Sequence, residues 1–294
     1  MKKAVVTGGA GFIGSNLVDK LIEQGIEVNI LDNLSTGKEE NINPKAFFQN
    51  IDLSEPIPSV LFKDADVVFH FAATPNVQYS VENPTDNNNI STTVNVLEAS
   101  RKSKVKRLVF SSTCALYGNP IYVPTNEIHP INPLSPYALD KRIGEQYCKL
   151  YSDIYGLDTV CLRYFNVYGN RMVNEGAYRS VISVFKEQHD NNQPLNIVND
   201  GEQKRDFVHV DDIIQANILC GSRKNNFNSE IYNVGTGKSY TVNEIADMFG
   251  GEKKYGEKRI EPKESIANNT KITLGLEWKP KGDLHKFIKK YKNQ

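Results

Sequence analysis

Several features are scarce or absent in this sequence, and each absence narrows the class of protein. The sequence has 35 lysine and arginine residues and 35 aspartate and glutamate residues, so it lacks the basic excess that favours nucleic-acid binding. No apolar run reaches the roughly 20 residues of a membrane helix, and the N-terminal residues lack the pattern of a signal peptide. The four cysteines form neither a C-x-x-C pair nor a zinc-spaced cluster. We therefore expect a cytoplasmic globular protein with reduced thiols, no metal site, and no membrane or nucleic-acid partner.

Short apolar runs alternate with helical patterns through the first half of the sequence. Strands are predicted at 4–6, 28–31, 66–70, 107–110 and 159–162, and helices at 12–24, 92–102 and 139–155. This alternation predicts an α/β fold with a doubly wound parallel sheet covered on both faces. After Asn166 the sequence is richer in loops. We expect one domain over 1–166 and a smaller C-terminal α/β lobe over 167–294, with a segment near 205–222 returning to the first domain.

Three glycines mark a phosphate-binding turn between the first strand and the first helix. Gly8, Gly11 and Gly14 have the spacing G-x-x-G-x-x-G, and Phe12 and Ile13 open the helix. Glycines there allow a sharp turn and close approach to a pyrophosphate, while the helix N-terminus offers free N–H groups. The strand–turn–helix context predicts a Rossmann dinucleotide site.

An acidic residue follows at the spacing that a dinucleotide site requires. Asp32 ends the second predicted strand, just before Asn33. A carboxylate at this place accepts hydrogen bonds from the adenosine ribose and repels a 2′-phosphate, which favours NAD over NADP.

The candidate catalytic residues are Thr113, Tyr137 and Lys141. Tyr137 and Lys141 form Y-x-x-x-K at the start of a predicted helix, so both side chains lie on one helix face. A nearby ammonium and a positive nicotinamide ring would lower the pKa of the phenol and make it a proton acceptor. Thr113 follows a predicted strand, at the sheet edge where ligands of doubly wound folds bind.

These motifs occur together with several others in a characteristic order. The further segments are His70-Phe71-Ala72-Ala73, Tyr117-Gly118, Leu162-Arg163-Tyr164-Phe165-Asn166, 205–212 and Tyr232-Asn233-Val234-Gly235. The sequence resembles the extended short-chain dehydrogenase/reductase family, in its UDP-glucose 4-epimerase-like branch, over nearly its whole length.

The resemblance implies roles for residues that spacing alone does not assign. Cofactor contacts are implied for Asp52 and Leu53 at the adenine, for Phe71, Ala72 and Ala73 at the pyrophosphate and nicotinamide, and for Asn89. Lys141 would also hold the nicotinamide ribose. Substrate contacts are implied for Thr113, Asn166 and Arg205, and either Lys258 or Arg259 would meet the diphosphate. Relatives often carry glycine where this chain has Asn199.

The implied activity is an isomerase reaction at one sugar carbon. The Tyr137 phenolate would take the C4 hydroxyl proton, and C4 would give a hydride to NAD. The 4-keto sugar would then rotate to present its other face before the hydride returns. Cys114 and Ala115 follow Thr113, where the related 4,6-dehydratases carry an acid–base pair. A UDP-uronate epimerase or decarboxylase and a non-catalytic NAD-binding regulator remain alternatives.

Two further expectations concern the partner chain and the sugar. Relatives pair through helices corresponding to 92–102 and 139–155, so we expect a homodimer.

Ser265 corresponds to the position that borders the sugar C2 substituent in 4-epimerases. Because serine is small, we expect N-acetylhexosamine forms to be accepted alongside UDP-glucose and UDP-galactose.

Overall fold

The fold is described from a computed structural model, which covers residues 1–75, 77–85, 88–173, 179–256 and 262–293. The predictions for Lys258 and Arg259 lie outside the described residues. In the described part of the chain, no helix is long and apolar enough to cross a membrane.

Strands and helices alternate along the first two thirds of the chain. The strands are β1 Lys3–Thr7, β2 Glu27–Asp32, β3 Phe47–Asn50, β4 Val67–His70, β5 Arg107–Thr113, β6 Asp158–Tyr164, β7 Asn166–Tyr168, β8 Leu195–Ile197, β9 Lys204–Arg205, β10 Phe207–His209, β11 Glu230–Val234, β12 Tyr240–Thr241, β13 Lys253–Tyr255 and β14 Glu264–Ser265. The helices are α1 Phe12–Glu23, α2 Val77–Glu82, α3 Asn89–Lys102, α4 Pro136–Tyr155, α5 Val181–Asp190, α6 Val210–Ser222, α7 Val242–Phe249, α8 Thr270–Leu276 and α9 Leu284–Tyr291.

The main sheet is parallel, and its strand order places a crevice beside β1. Its seven strands run in the order β3-β2-β1-β4-β5-β6-β11. From β1, the chain first adds β2 and β3 on one side of the sheet and then β4, β5, β6 and β11 on the other. The direction in which strands are added therefore reverses between β1 and β4. In doubly wound sheets, ligands bind in the crevice at the carboxyl ends of the strands at this reversal.

Apolar side chains fill both faces of this sheet, as the sequence pattern predicted. One cluster packs α1 and α6 against the sheet, with Leu17 and Ile213 at its centre. The opposite cluster packs α3 and α4, with Leu97 and Cys148 buried among the strand residues. Burial on both faces explains why these strands are continuously apolar rather than alternating.

The C-terminal part has a smaller core of its own. Phe185, Ile245, Phe249 and Ile288 pack together from α5, α7 and α9. The short strand pairs β8–β13 and β9 with β12 and β14 lie in this part of the chain.

The predicted elements of the first half all appear, with small differences at their ends. Helix α4 begins at Pro136, because Ser135 caps it by accepting a hydrogen bond from the Ala138 N–H at 3.2 Å. The division at residue 166 stays a prediction. Helix α6, in the segment near 205–222, packs against the main sheet. A second segment also returns, because β11 extends the sheet and Trp278 is buried in the same core.

Candidate functional site

The glycine turn has the geometry that a dinucleotide phosphate requires. Gly8 has φ +68°, and a Cβ there would meet the Ala72 backbone nitrogen at 2.7 Å. A Cβ on Gly14 would lie 2.2 Å from the Gly8 carbonyl oxygen. Helix α1, which starts with Phe12 and Ile13, has no side-chain cap at Gly11 and no acid in its first turn. Its N-terminal N–H groups are thus suited to an anion.

Asp32 lies beside this turn at the carboxyl end of β2. Its Oδ2 accepts a hydrogen bond from the Ala10 N–H at 2.9 Å, and its Oδ1 accepts from the Leu34 N–H at 2.8 Å. Asn33, next to it, is exposed and accepts from the Ser35 N–H at 3.0 Å. The carboxylate is therefore held next to the turn, and this arrangement fits the adenosine ribose of NAD.

The other residues expected at the cofactor line the same edge of the sheet. Phe71, Ala72 and Ala73 follow β4 directly, and Ala72 approaches Gly8. Asn89 is 5% exposed at the start of α3, and its Oδ1 accepts from the Thr74 N–H at 2.7 Å.

The residues expected at the adenine lie in the turn after β3. Leu53 is buried in the core beneath α3. Asp52 is exposed, and its Oδ1 accepts from the Ser54 N–H at 2.9 Å. The side chain of Asn95 on α3 donates to the Leu53 carbonyl at 3.1 Å, which fixes this turn against the helix.

Thr113, Tyr137 and Lys141 converge at the carboxyl end of β5. The Thr113 hydroxyl lies next to the Tyr137 phenol and acts to lower its pKa. Lys141 is 3% exposed, its Nζ donates to the Ser111 carbonyl at 2.8 Å, and it lies 6.0 Å from the centre of the Tyr137 ring. The backbone N–H of Tyr137 donates to Ser80 Oγ at 3.2 Å, so α2 supports the start of α4.

Burial dominates the ionisation of both groups. It raises the pKa of Tyr137 to about 12, while the hydrogen bond from Thr113 acts in the opposite direction. Burial also lowers the pKa of Lys141 to about 8. The expectation that the ammonium lowers the phenol pKa is therefore not met by the protein groups, because desolvation is the larger effect.

Asn166 and Arg205 lie on strands that face the C-terminal part. The Asn166 side chain donates to the Asp206 carbonyl at 3.0 Å. Arg205 Nη1 donates to the carbonyls of Lys204 at 3.0 Å and Pro262 at 2.7 Å, which hold the guanidinium next to β14.

Ser265 lies next to the catalytic strand end, although 151 residues separate it from Cys114. Its hydroxyl donates to the Cys114 sulfur at 3.7 Å, and Cys114 follows Thr113 directly. The buried Asp206 carboxylate fixes this segment, because it accepts from the N–H groups of Thr236 at 2.8 Å and Ala267 at 3.1 Å. Sequence analysis did not anticipate this anchor, because its partners are distant in the chain.

The backbone at Asn199 has a conformation that suits glycine, the residue expected there from the family resemblance. Asn199 has φ +58°, in the left-handed region that glycine and asparagine tolerate best.

In the described ranges, no group of three or more histidine, cysteine, aspartate or glutamate side chains could hold a metal ion.

Comparisons with known proteins find relatives that are similar over nearly the whole chain. A Methanocaldococcus jannaschii protein with a provisional UDP-glucose 4-epimerase name is 47% identical over 300 residues, covering 98% of this chain and 97% of that protein. Among solved structures, the Thermotoga maritima UDP-glucose 4-epimerase with UDP-glucose has a TM-score of 0.92 at 37% identity, covering 99% of this chain and 97% of that one. The Methanobrevibacter ruminantium UDP-N-acetylglucosamine 4-epimerase, in complex with UDP-N-acetylmuramic acid, has a TM-score of 0.93 at 36% identity, with the same coverage.

The match to a family sequence model covers most of the chain. The model of the NAD-dependent epimerase/dehydratase family matches residues 4–235, which include the glycine turn, Thr113, Tyr137, Lys141 and Arg205. The chain belongs to the NAD-dependent epimerase/dehydratase family, and NAD is its cofactor.

Proposed function

We propose that this protein is an isomerase that inverts the C4 hydroxyl of UDP-hexoses with bound NAD. The observation that carries the proposal is the convergence of Thr113, Tyr137 and Lys141 at the carboxyl end of β5. This edge also carries the glycine turn, so the proton acceptor and the cofactor meet in one crevice.

Tyr137 is assigned the proton transfer at the C4 oxygen. Thr113 donates to the phenolic oxygen and thereby favours its ionised form. The buried Lys141 ammonium, fixed by the Ser111 carbonyl, adds positive charge near the ring and is placed to hold the nicotinamide ribose. NAD, held by the glycine turn and Lys141, would supply reversible hydride transfer at C4 and a cationic ring that favours the phenolate. The same tyrosine then returns the proton.

The cofactor and the substrate are assigned to different parts of the chain. Residues of the first domain, over 1–166, hold NAD through the glycine turn, Asp32 and Asn33, the turn at Asp52 and Leu53, Phe71 to Ala73, and Asn89. In the lobe over 167–294, Arg205 is assigned to the substrate diphosphate, since a guanidinium forks onto phosphate oxygens. Asn166, at the boundary, is assigned to the sugar nucleotide. Lys258 and Arg259 remain candidates for the diphosphate.

Ser265 is assigned to the pocket wall at the sugar C2 substituent. Its hydroxyl contacts the Cys114 sulfur, and Cys114 directly follows Thr113, which supports this assignment. A serine leaves more room than a bulky aromatic residue, which supports acceptance of N-acetylhexosamine substrates. Cys114 and Ala115 supply no acid–base pair for a dehydratase reaction.

The test is to measure C4 inversion of UDP-glucose, UDP-galactose, both UDP-N-acetylhexosamines and UDP-glucuronic acid. We expect the first four to react in wild type and Ser265→Tyr to suppress the N-acetylated substrates selectively, because added bulk clashes with the acetamido group. Equal effects of Ser265→Tyr on both classes would remove Ser265 from the site. Turnover of UDP-glucuronic acid alone would favour a uronate epimerase, and no turnover with any sugar would favour a regulator.

The proposal includes a cytoplasmic homodimer. Helix α4 presents Leu139, Ile143, Tyr147, Leu150 and Ile154 at intervals of three or four residues, so they lie on one face. Leu139, Leu150 and Ile154 are 50%, 44% and 62% exposed. An exposed apolar stripe of this kind supports a contact with a second copy of the helix.

A further inference from the structure

Helix α4 is bonded to three consecutive residues at the carboxyl end of β5. Tyr137 meets the Thr113 hydroxyl, Lys141 Nζ donates to the Ser111 carbonyl at 2.8 Å, and Glu145 Oε1 accepts from Ser112 Oγ at 2.7 Å. The three helix residues are spaced by four, so they share one face of α4. The proposed chemistry uses the first two contacts and leaves the third without a role.

The helix also lies unusually close to this strand. A Cβ on Gly144 would be 2.5 Å from the Phe110 ring, so α4 reaches its position only because residue 144 is glycine. At this separation, a small shift of α4 along β5 changes all three contacts together. The contact at Ser112 is therefore mechanically linked to the neighbouring contact at Thr113.

Glu145 is held by a buried arginine. Arg163 on β6 is 1% exposed and binds the carboxylate in bidentate fashion, with Nε to Oε1 and Nη2 to Oε2 both at 2.8 Å. Burying two charges is costly, and a buried ion pair gives little net stability compared with an apolar pair of similar volume. A planar two-point contact does, however, fix the orientation of a carboxylate.

The arginine connects this pair to other parts of the candidate site. Its Nη1 donates to the Tyr117 hydroxyl at 2.8 Å, and that hydroxyl donates to Asn233 Oδ1 at 2.7 Å. Asn233 in turn donates to the Thr125 carbonyl at 2.9 Å, and the Thr125 N–H donates to the Ile266 carbonyl at 2.8 Å, next to Ser265. The network thus extends from the catalytic helix to the proposed sugar-binding wall.

We propose that Glu145, held by Arg163, is a positioning residue that sets the register of α4 on β5 through Ser112 and so aligns Tyr137 with Thr113. The inference rests on the proposed epimerase function. It assigns the buried ion pair to the geometry of proton transfer rather than to the stability of the fold.

The test removes the Ser112 hydroxyl while leaving the ion pair intact. Ser112→Ala should lower kcat by about 10- to 100-fold, the scale expected for a small misplacement of reacting groups, with little change in KM or NAD affinity. The acidic limb of the kcat–pH profile should move to higher pH, because the Thr113 hydrogen bond that favours the phenolate is weakened. Ser112→Thr keeps the hydroxyl and should restore both kcat and the profile.

Thr159→Ala is the matched control. Thr159 is buried on β6 and its hydroxyl donates to the Cys148 carbonyl of the same helix at 3.0 Å, three residues beyond Glu145. It should lower Tm about as much as Ser112→Ala, yet leave the pH profile unchanged. Equal kcat and pH profiles for the two alanine variants would overturn the proposal, as would failure of Ser112→Thr to restore activity.

A measurement without turnover separates this proposal from the proposed function. The tyrosinate absorbance of Tyr137, taken as the difference from Tyr137→Phe, reports its ionisation directly. Ser112→Ala should raise the pKa of Tyr137 relative to wild type, and Thr159→Ala should not. An inactive wild type whose Tyr137 shows this response would refute epimerisation while supporting the positioning role. An unchanged pKa in Ser112→Ala would refute the positioning role.

Discussion

At the scale of single residues, Tyr137 combines a proposed catalytic role with an environment that disfavours its ionised form. Burial raises its pKa to about 12, and the Thr113 hydrogen bond acts against that shift. Tyr137→Phe removes the proton acceptor but keeps the ring and the backbone contact with Ser80. We expect kcat to fall by roughly 10²–10⁴-fold, the usual contribution of a general acid–base group, with NAD affinity largely unchanged.

The measurement is steady-state epimerisation together with a direct NAD titration. Tyr155→Phe is the control, because Tyr155 is exposed at the end of the same helix and contacts the Tyr151 ring at 5.0 Å. Its kcat should equal that of wild type. Near-normal turnover of Tyr137→Phe would contradict the mechanism.

Asp32 provides the prediction on cofactor choice. Wild type should bind NAD more tightly than NADP, because the carboxylate next to the turn repels a 2′-phosphate. Asp32→Asn keeps the shape and the Oδ1 acceptor at Leu34, but it removes the negative charge. The ratio of the two dissociation constants should then move toward NADP by about tenfold, equivalent to about 1.4 kcal/mol. Tighter binding of NADP by wild type would reject the assignment.

At the scale of elements, His70 links β4 to β1 and α3. Its Nδ1 lies 2.7 Å from Thr7 Oγ1, and its Nε2 lies 3.2 Å from Thr93 Oγ1. Burial, aided by the charge of Lys141, lowers its pKa from 6.5 to about 3. Between these two values the unfolded chain binds a proton that the folded protein does not, so stability is lost as the pH falls below 6.5.

We therefore expect the free energy of unfolding to drop by about 2 kcal/mol between pH 7 and pH 5 from this histidine alone. His70→Gln removes the titrating group and keeps hydrogen-bonding capacity, so this component should vanish. Chemical denaturation of both proteins at the two pH values measures the difference. The same slope in His70→Gln would show that other groups cause the acid sensitivity.

The predictability of each element depended on whether its signal was local. The glycine turn, Asp32, and the Tyr137–Lys141 pair are set by short spacings and by the rule that ligands meet strand ends, so sequence identified them. The Glu145–Arg163 pair and the Asp206 anchor join residues that are distant in the chain. No periodicity or spacing encodes such contacts, because they depend on how the helix and three strands pack.

At the scale of the whole molecule, the two-part division was harder to predict than the fold class. Strand β11 reads as a short apolar segment within a loop-rich region, yet it completes the main sheet beside β6. Trp278, near the C-terminus, is buried in the core that packs on the main sheet and donates to the Asp212 carbonyl at 2.9 Å. The chain therefore passes more than once between the main sheet and the smaller C-terminal core.

The final prediction concerns assembly. The exposed stripe on α4 should bury itself against the same stripe of a second chain, since a two-fold contact uses one surface on both copies. We expect a dimeric mass at micromolar concentration by light scattering or sedimentation.

Ile154→Glu should shift the mass to that of a monomer, because a charge at the contact is left unpaired when buried. Leu274→Glu is the control, since Leu274 is 79% exposed on α8 and lies away from the stripe. A monomeric wild type, or dissociation by both substitutions alike, would refute this interface. Tyr137 and Lys141, the proposed catalytic residues, belong to the same helix, so dimerisation through α4 would also stabilise the element that carries them.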